Sequence, residues 1–470
     1  MEQLNHLIDK EDTICAISTP AGVGGIAVIR VSGANAIDNV MKSWIGKNLH
    51  EVPTHTLHLG RIVFPDGETL DEVVAAVFRA PHTFTGEDVV EISCHGSLWI
   101  QQQLINLLIT NGCRSAEGGE FTRRAFMNGR IDLSQAEAIA DVIASSSRAS
   151  HRIAVSQMRG GFSRQLAGLR EKLLEFVSFM ELELDFSEEE VEFADRQKLI
   201  TLAEEINATV TKLADSFAVG NAIKNGFPVA IVGETNAGKS TLLNRLLHDD
   251  KALVSDIRGT TRDVIEDTIA LGGFTFRFID TAGIRDTADT IESMGIERTF
   301  KKIDEASIII WLIDGTQPES AIREVAEKVI PRSNGKKLIA AINKIDSISP
   351  ESIDALKSFI DRLDAEKTIV AISAKNDIGV SQLEQQLIDS ATTPDNDPNS
   401  VVVTNARHFE ALTNAHQALD RAIDGLHNGI SGDFISQDIR EAMHYLGEIT
   451  GEITTHEVLG TIFARFCIGK

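Results

Sequence analysis

Gly233-Glu-Thr-Asn-Ala-Gly-Lys-Ser240 fits the phosphate-cradling pattern G-x-x-x-x-G-K-[ST] at every fixed position. Gly233 and Gly238 permit backbone turns that a Cβ would obstruct, so successive N–H groups can point at phosphate oxygens. The helix expected from Thr241 to Leu247 adds the partial positive charge of its N-terminus. Lys239 is placed to reach the β- and γ-phosphates and Ser240 to ligate magnesium, with Asn236, Ala237 and Thr241 completing the nucleotide contacts.

Four further stretches narrow the chemistry. Asp280-Thr-Ala-Gly283 carries an aspartate that orients magnesium through water and a glycine N–H that senses the γ-phosphate, with Thr281 and Ala282 between them. Asn343-Lys-Ile-Asp346 offers, at Asp346, a carboxylate for the guanine N1–H and 2-amino group, a donor pair that adenine lacks; Lys344 lies between. Ser373-Ala-Lys375 supports the base from below, with Ala374 at its centre. Gly259-Thr-Thr-Arg-Asp263 supplies a threonine for magnesium when the γ-phosphate is present. In this order, and at strand ends, these motifs specify GTP over ATP.

The water-positioning glutamine that follows D-x-x-G in Ras-like GTPases is replaced by Ile284, which cannot serve. Glu292 is within reach and is either the water-orienting group or a solvated loop residue. No arginine is evidently placed to stabilise transition-state charge, so a monovalent cation could serve, with Asn236 as one oxygen ligand.

The elements that must position these residues follow from hydropathy. Phe227–Val232, Ile308–Ile313, Leu338–Ile342 and Ile369–Ile372 are continuous apolar runs, as buried parallel strands require, and Phe274–Ile279 alternates. This block is expected to be a doubly wound nucleotide-binding domain. Residues 13–125 read as mixed α and β, with strands at Ile14–Ser18, Gly25–Val31, Asp71–Arg79 and Asp88–Ser93 and a helix at Leu98–Thr110. Apolar residues recur at helical spacing from Leu133 to Ser216, and residues 403–470 are helical again, with a strand pattern only in the last ten. A single helical bundle interrupted by an inserted domain follows, since each half alone is short of core. The expected domains are 1–128, 129–223, 224–391 and 392–470.

The chain of 470 residues suits about three domains. Its net charge of −24 excludes a wholly nucleic-acid-binding surface, so a polyanion must meet a local basic patch or be held partly by a partner. Four scattered cysteines without a C-x-x-C pair point away from a disulfide framework or zinc site, and toward a reducing cytoplasm. No apolar run is long enough to span a membrane, and the acidic start is neither a secretory nor a transit signal. The run Glu188-Glu-Glu190 reads as a solvated face.

The G-x-x-N-A-G-K-S loop, G-T-T-R-D, D-T-A-G, the N-terminal P-x-G-x-G-G-I-A-V-I-R and the terminal Cys467-Ile-Gly-Lys470 together resemble the MnmE (TrmE) family of bacterial tRNA-modification GTPases over essentially the whole chain. That resemblance implies an N-terminal α+β tetrahydrofolate-binding domain that makes a homodimer, a helical domain built from two chain segments, and an inserted Ras-like G domain. It implies an FAD-containing partner, MnmG, with which C5 of the wobble uridine of certain tRNAs receives an aminomethyl or carboxymethylaminomethyl group. It also implies GTP hydrolysis driven by G-domain dimerisation and stimulated by potassium. Carried onto this sequence, Asn236, Ser255, Ile257 and Thr260 surround potassium, Ser240 and Thr261 hold magnesium, and Glu292 orients water, with Lys239 the second catalytic candidate. Asp256, Arg258 and Gly259 join the nucleotide contacts. The folate derivative (5-formyl or 5,10-methylene) falls to Arg30, Glu87, Arg130 and Lys470, in keeping with cations meeting glutamyl carboxylates and a carboxylate meeting the amino-pteridine edge. Many relatives have lysine where Arg130 stands, and some have threonine where Ser255 stands.

Cys467 lies four residues from the end, but Gly469 and Lys470 do not suit a prenylation signal. It is either a structural thiol or a participant in modification chemistry. Two other functions fit parts of the pattern: a stand-alone regulatory GTPase whose N-terminal domain recruits partners, and a folate-dependent transferase that the GTPase only regulates.

Overall fold

The computed structural model describes residues 12–185, 196–248, 267–279, 303–392, 401–454, 456–464, 466 and 469. The chain falls into two compact units, one of residues 1–143, 156–207 and 414–470, the other of residues 144–155 and 208–413.

The first unit contains a seven-stranded sheet of β1 (Ile14–Ile17), β2 (Gly24–Ser32), β3 (Trp44–Gly46), β4 (Thr56–Val63), β5 (Thr69–Phe78), β6 (Val89–Gly96) and β7 (Arg114–Ser115), in the order β3-β4-β5-β6-β2-β1-β7. Helices α1 (Ala36–Met41) and α2 (Leu98–Thr110) belong to it, and α2 has the bounds expected from sequence. One sheet face carries the core residues Ile29, Val31, Val73, Ala75, Val77 and Ile92 beneath Leu104 and Leu108 of α2. Strand β4 was not anticipated. Its apolar Leu57 and Leu59 are 71% and 76% exposed, so its alternation marks the face away from this core.

Helix α3 (Glu120–Met127) begins after Gly119, whose positive φ of 65° suits glycine. The helices α4 (Leu133–Ala144), α5 (Arg148–Met158), α6 (Gly161–Asp185), α7 (Arg196–Asp215) and α8 (Phe217–Asn225) follow. Late in the chain, α13 (Ala406–His427), α14 (Gly432–Thr450) and α15 (His456–Phe463) are also helical. Within the first unit α14 packs along α6. Arg196 caps α13 by donating to the Leu426 carbonyl at 2.9 Å, and Arg440 pairs with Glu181. Leu133 and Ala136 share a core with Leu459 and Phe463. The strand expected in the last ten residues is not found among the described ones: α15 runs to Phe463, because Leu459 and Phe463 bury one helical face.

The second unit holds the six-stranded sheet β13-β12-β11-β8-β10-β9. Its members are β8 (Phe227–Val232), β9 (Asp267–Leu271), β10 (Phe274–Phe278), β11 (Ile308–Asp314), β12 (Lys337–Asn343) and β13 (Lys367–Ala371). All adjacent pairs are parallel except β9 with β10. Every residue of β11 is buried, as the continuous apolar run requires of a strand covered on both faces. Helices α9 (Lys239–His248), α10 (Glu319–Val329), α11 (Pro350–Asp361) and α12 (Val380–Ala391) complete the α/β pattern.

The antiparallel edge strand β9 departs from the simple parallel expectation. It turns into β10 through Gly272 and Gly273, with φ of 58° and 86°, the two positive values a two-residue hairpin demands. Residues 144–155 grip this hairpin: the Ala149 N–H donates to the Gly273 carbonyl at 3.1 Å, and the Ser146 and Thr275 hydroxyls lie 3.2 Å apart. Ala149 shares a core with Leu271 and Phe276.

Candidate phosphate-loop and N-terminal sites

The loop between β8 and α9 is shaped by atoms that exclude side chains. A Cβ on Gly233 would lie 2.2 Å from the Leu312 carbonyl oxygen of β11, and one on Gly238 2.4 Å from Asn343 Nδ2; the φ of Gly238 is 99°. Asn236 also has positive φ, 64°, and is exposed at the loop tip. Lys239 opens α9 and donates to the Gly233 and Glu234 carbonyls at 2.8 and 2.7 Å, which folds its ammonium over the loop. Ser240 and Thr241 lie in the first turn of α9. A cradle that a Cβ would fill, an ammonium over it and hydroxyls at the helix start together fit a magnesium-bound triphosphate.

The residues expected to read the base follow β12 and β13, and Asn343 ties them to this loop. Asn343 ends β12, with its Nδ2 donating to the Ala237 carbonyl at 2.8 Å and its Oδ1 accepting from the Ala374 N–H at 3.0 Å. Asp346 is exposed, and its Oδ1 accepts from Ser373 Oγ at 2.5 Å. That bond, aided by the charge of Lys375, holds the carboxyl below its ordinary range, so it is an acceptor at neutral pH. Ser373 itself is fixed by N–H and carbonyl bonds to Ile378 at 2.8 and 3.2 Å. A planar acceptor presented beside the phosphate cradle suits guanine.

Two features of this site escaped the sequence reading. Lys344, with φ of 64°, donates to Asp314 Oδ2 at 2.6 Å, while Asp314 Oδ1 accepts from the Thr316 N–H and hydroxyl at 3.0 and 2.7 Å. Burial works against ionisation of Asp314, but the Lys344 and Thr316 hydrogen bonds outweigh it and keep the carboxyl below the ordinary range. Its signal was an aspartate closing an otherwise apolar run. Arg245 of α9 also pairs with Asp377 at 2.6 Å, a contact with no local sequence mark. Ser255, Asp256, Ile257, Arg258, Gly259, Thr260, Thr261, Asp280, Thr281, Ala282, Gly283 and Glu292 lie outside the described residues.

In the first unit, Arg30, Glu87 and Arg130 meet around the loop Thr83–Glu87. Arg30 Nε donates to Glu91 Oε1 at 2.8 Å, and its guanidinium sits 5.7 Å from the Phe84 ring centre and 5.6 Å from that of Phe121. Arg130 Nε donates to the Thr83 carbonyl at 3.2 Å. Glu87 accepts from Ser32 Oγ at 2.8 Å and from Arg124 Nη1 at 3.1 and 3.2 Å. The loop is pinned by Thr83 Oγ1 on the Glu87 carbonyl and Asn128 Nδ2 on the Thr85 carbonyl, each at 2.7 Å. Two guanidiniums, a carboxylate and an exposed phenyl ring fit a flat, donor-bearing heterocycle with an anionic tail. Just past β1, Ser18 Oγ donates to the Gly469 carbonyl at 3.0 Å. Lys470 and Cys467 lie outside the described residues, as does the run Glu188–Glu190. Cys15, Cys94 and Cys113 are buried thiols.

The sequence matches the family models for the MnmE helical domain over residues 133–467 and for the GTP-binding protein TrmE N-terminus over residues 13–130. A protein described as tRNA modification GTPase MnmE from Bacteroides fragilis is 56% identical, across 98% of this chain and all of the relative. Those from Bacteroides thetaiotaomicron and Flavobacterium johnsoniae, described in the same words, are 56% and 51% identical, each over 98% of this chain and 100% and 99% of their own length.

Proposed function

Since the chain belongs to the MnmE family of tRNA modification GTPases, and is a GTP hydrolase acting in tRNA modification, we propose that its turnover is stimulated by potassium and coupled to a one-carbon folate site in the N-terminal domain. The observation that carries the GTP assignment is the placement of Asp346, bonded to Ser373, at the end of the sheet that presents the Gly233–Ser240 loop.

Ser240 and Thr261 would hold magnesium, and Asn236, Ser255, Ile257 and Thr260 would surround potassium. The exposed Asn236 at the tip of the loop supports this. These ions supply charge neutralisation on the phosphates. The protein's part is to cradle the phosphates with the loop N–H groups, to seat Lys239 over them, and to orient the attacking water through Glu292. Gly233, Asn236 to Thr241, Ser255 to Thr261, Asp280 to Gly283, Asn343, Lys344, Asp346 and Ser373 to Lys375 form the nucleotide site.

In the N-terminal domain, Arg30, Glu87, Arg130 and Lys470 would hold a 5-formyl- or 5,10-methylene-tetrahydrofolate, with Glu87 accepting from the amino-pteridine edge. The convergence of three of these on the Thr83–Glu87 loop supports that role. A homodimer through the same domain is supported by the exposed Leu57 and Leu59 of β4. The remaining assignments rest on family membership: domains at 1–128, 129–223, 224–391 and 392–470, the MnmG flavoprotein as partner and bearer of FAD, tRNA held largely by that partner, a cytoplasmic location, and Cys467 as a candidate for the modification chemistry. No described helix is long and apolar enough to cross a membrane.

The testing experiment is GTP turnover in potassium against sodium at matched ionic strength, with sedimentation alongside. Strong stimulation and tighter self-association with a transition-state mimic are expected. Equal rates in both salts would remove the cation-assisted mechanism and leave a GTPase that needs a residue supplied from elsewhere.

A further inference from the structure

Resting on the folate reading of Glu87, we propose that Arg124 is the positioning residue that fixes this carboxylate for its ligand. Arg124 is wholly buried at its side chain, while that of Glu87 is 17% exposed, so the pair runs from the interior to the solvent edge. Nη1 of Arg124 bridges both Glu87 oxygens, at 3.1 and 3.2 Å, and also donates to the Asp12 carbonyl at 2.9 Å.

Arg124 is itself locked. Its Nη2 donates to Glu120 Oε1 at 3.1 Å, and Glu120, also buried, receives Arg114 through two bonds of 3.1 and 2.7 Å and the Glu117 N–H at 2.9 Å. A glutamate has three side-chain torsions to order; a guanidinium fixed on both sides sets the plane of the carboxylate it bridges. An ionised carboxylate has about four acceptor directions; Ser32 on Oε2 and Arg124 on both oxygens take three of them, which leaves Oε1 open to an N–H donor of the ligand. Arg124 therefore touches no ligand and acts through Glu87.

The test is equilibrium binding of 5-formyl-tetrahydrofolate to the full chain by calorimetry, for wild type, Glu87→Gln, Arg124→Met, Arg124→Lys and the double variant Arg124→Met with Glu87→Gln. Glu87→Gln and Arg124→Met should each weaken binding by about tenfold to a hundredfold, the range of one charge-assisted bond. The double variant should be no weaker than the worse single one, because both act on one carboxylate. Arg124→Lys should recover part of the loss. Should Arg124→Met not fold, Ser32→Ala removes the other donor to Glu87 and should weaken binding less but in the same direction. Unchanged affinity in a folded Arg124→Met protein, or losses that simply add, would overturn the positioning role while leaving Glu87 as a contact. Unchanged affinity in Glu87→Gln would overturn the folate reading itself.

Discussion

Asn343 and Ala237 are 106 positions apart in sequence, yet Nδ2 of one donates to the carbonyl of the other at 2.8 Å, and both are buried. Because the same amide takes the Ala374 N–H at 3.0 Å, one side chain sets the spacing between the Gly233–Ser240 loop and the Ser373–Lys375 loop. Asn343→Ala leaves a buried carbonyl and a buried N–H unpaired. It should destabilise the G domain by about 2–4 kcal/mol and weaken GDP and GTP alike. Thermal melting with nucleotide titration checks this; a loss confined to GTP would contradict it.

Gly238→Ala places a methyl 2.4 Å from Asn343 Nδ2 in a backbone conformation alanine avoids. The expected result is nucleotide affinity reduced by about a hundredfold or more, as a clash of a few kcal/mol requires. Fluorescent GDP titration would measure it, and near-normal affinity would show that the loop relaxes at little cost.

Asp346→Asn should weaken GTP and favour xanthosine triphosphate, whose base reverses one donor for an acceptor. Competition between the two triphosphates is the measurement. If selectivity for guanine survives, Asp346 does not read the base.

Asp314→Asn removes the partner of Lys344 and one end of the Thr316 turn, for an expected loss of about 1–3 kcal/mol at neutral pH. Since the folded carboxyl lies below its unfolded value, its stabilisation is fully present above the ordinary aspartate range and is lost as pH falls through the lower folded value. The melting difference between wild type and variant should thus be flat above about pH 5 and shrink below about pH 4. A difference that grows on acidification would reverse the sign and exclude the assignment.

Glu292→Ala should lower GTP turnover by about a hundredfold, typical of a lost water-orienting base, with GTP affinity near wild type. Single-turnover hydrolysis beside equilibrium binding separates the two. A matching fall in affinity would make the residue structural.

The phosphate loop, Asn343, Asp346 and the apolar strands were legible because they depend on fixed spacing or on runs of one character. Strand β9 was not. Its five residues alternate too briefly to stand out, although the Gly272-Gly273 pair between two apolar stretches was the available hairpin signal. Strand β4 stayed hidden for another reason: its apolar Leu57 and Leu59 face away from the core that the rest of the sheet buries. The pairing of Glu87 with Arg124, and of Arg245 with Asp377, joins distant positions through ions that are common on any surface, so nothing local announces it.

The hairpin of β9 and β10 has the layout of a tuning fork held at its bend. Ala149 holds the tip at Gly273, while the open end is the rung Asp267–Phe278. Ala149 stands in the first turn of α5, where proline is tolerated. Ala149→Pro would therefore remove one of the two hydrogen bonds that hold the bend, leaving the Ser146–Thr275 contact and the ladder between the prongs in place.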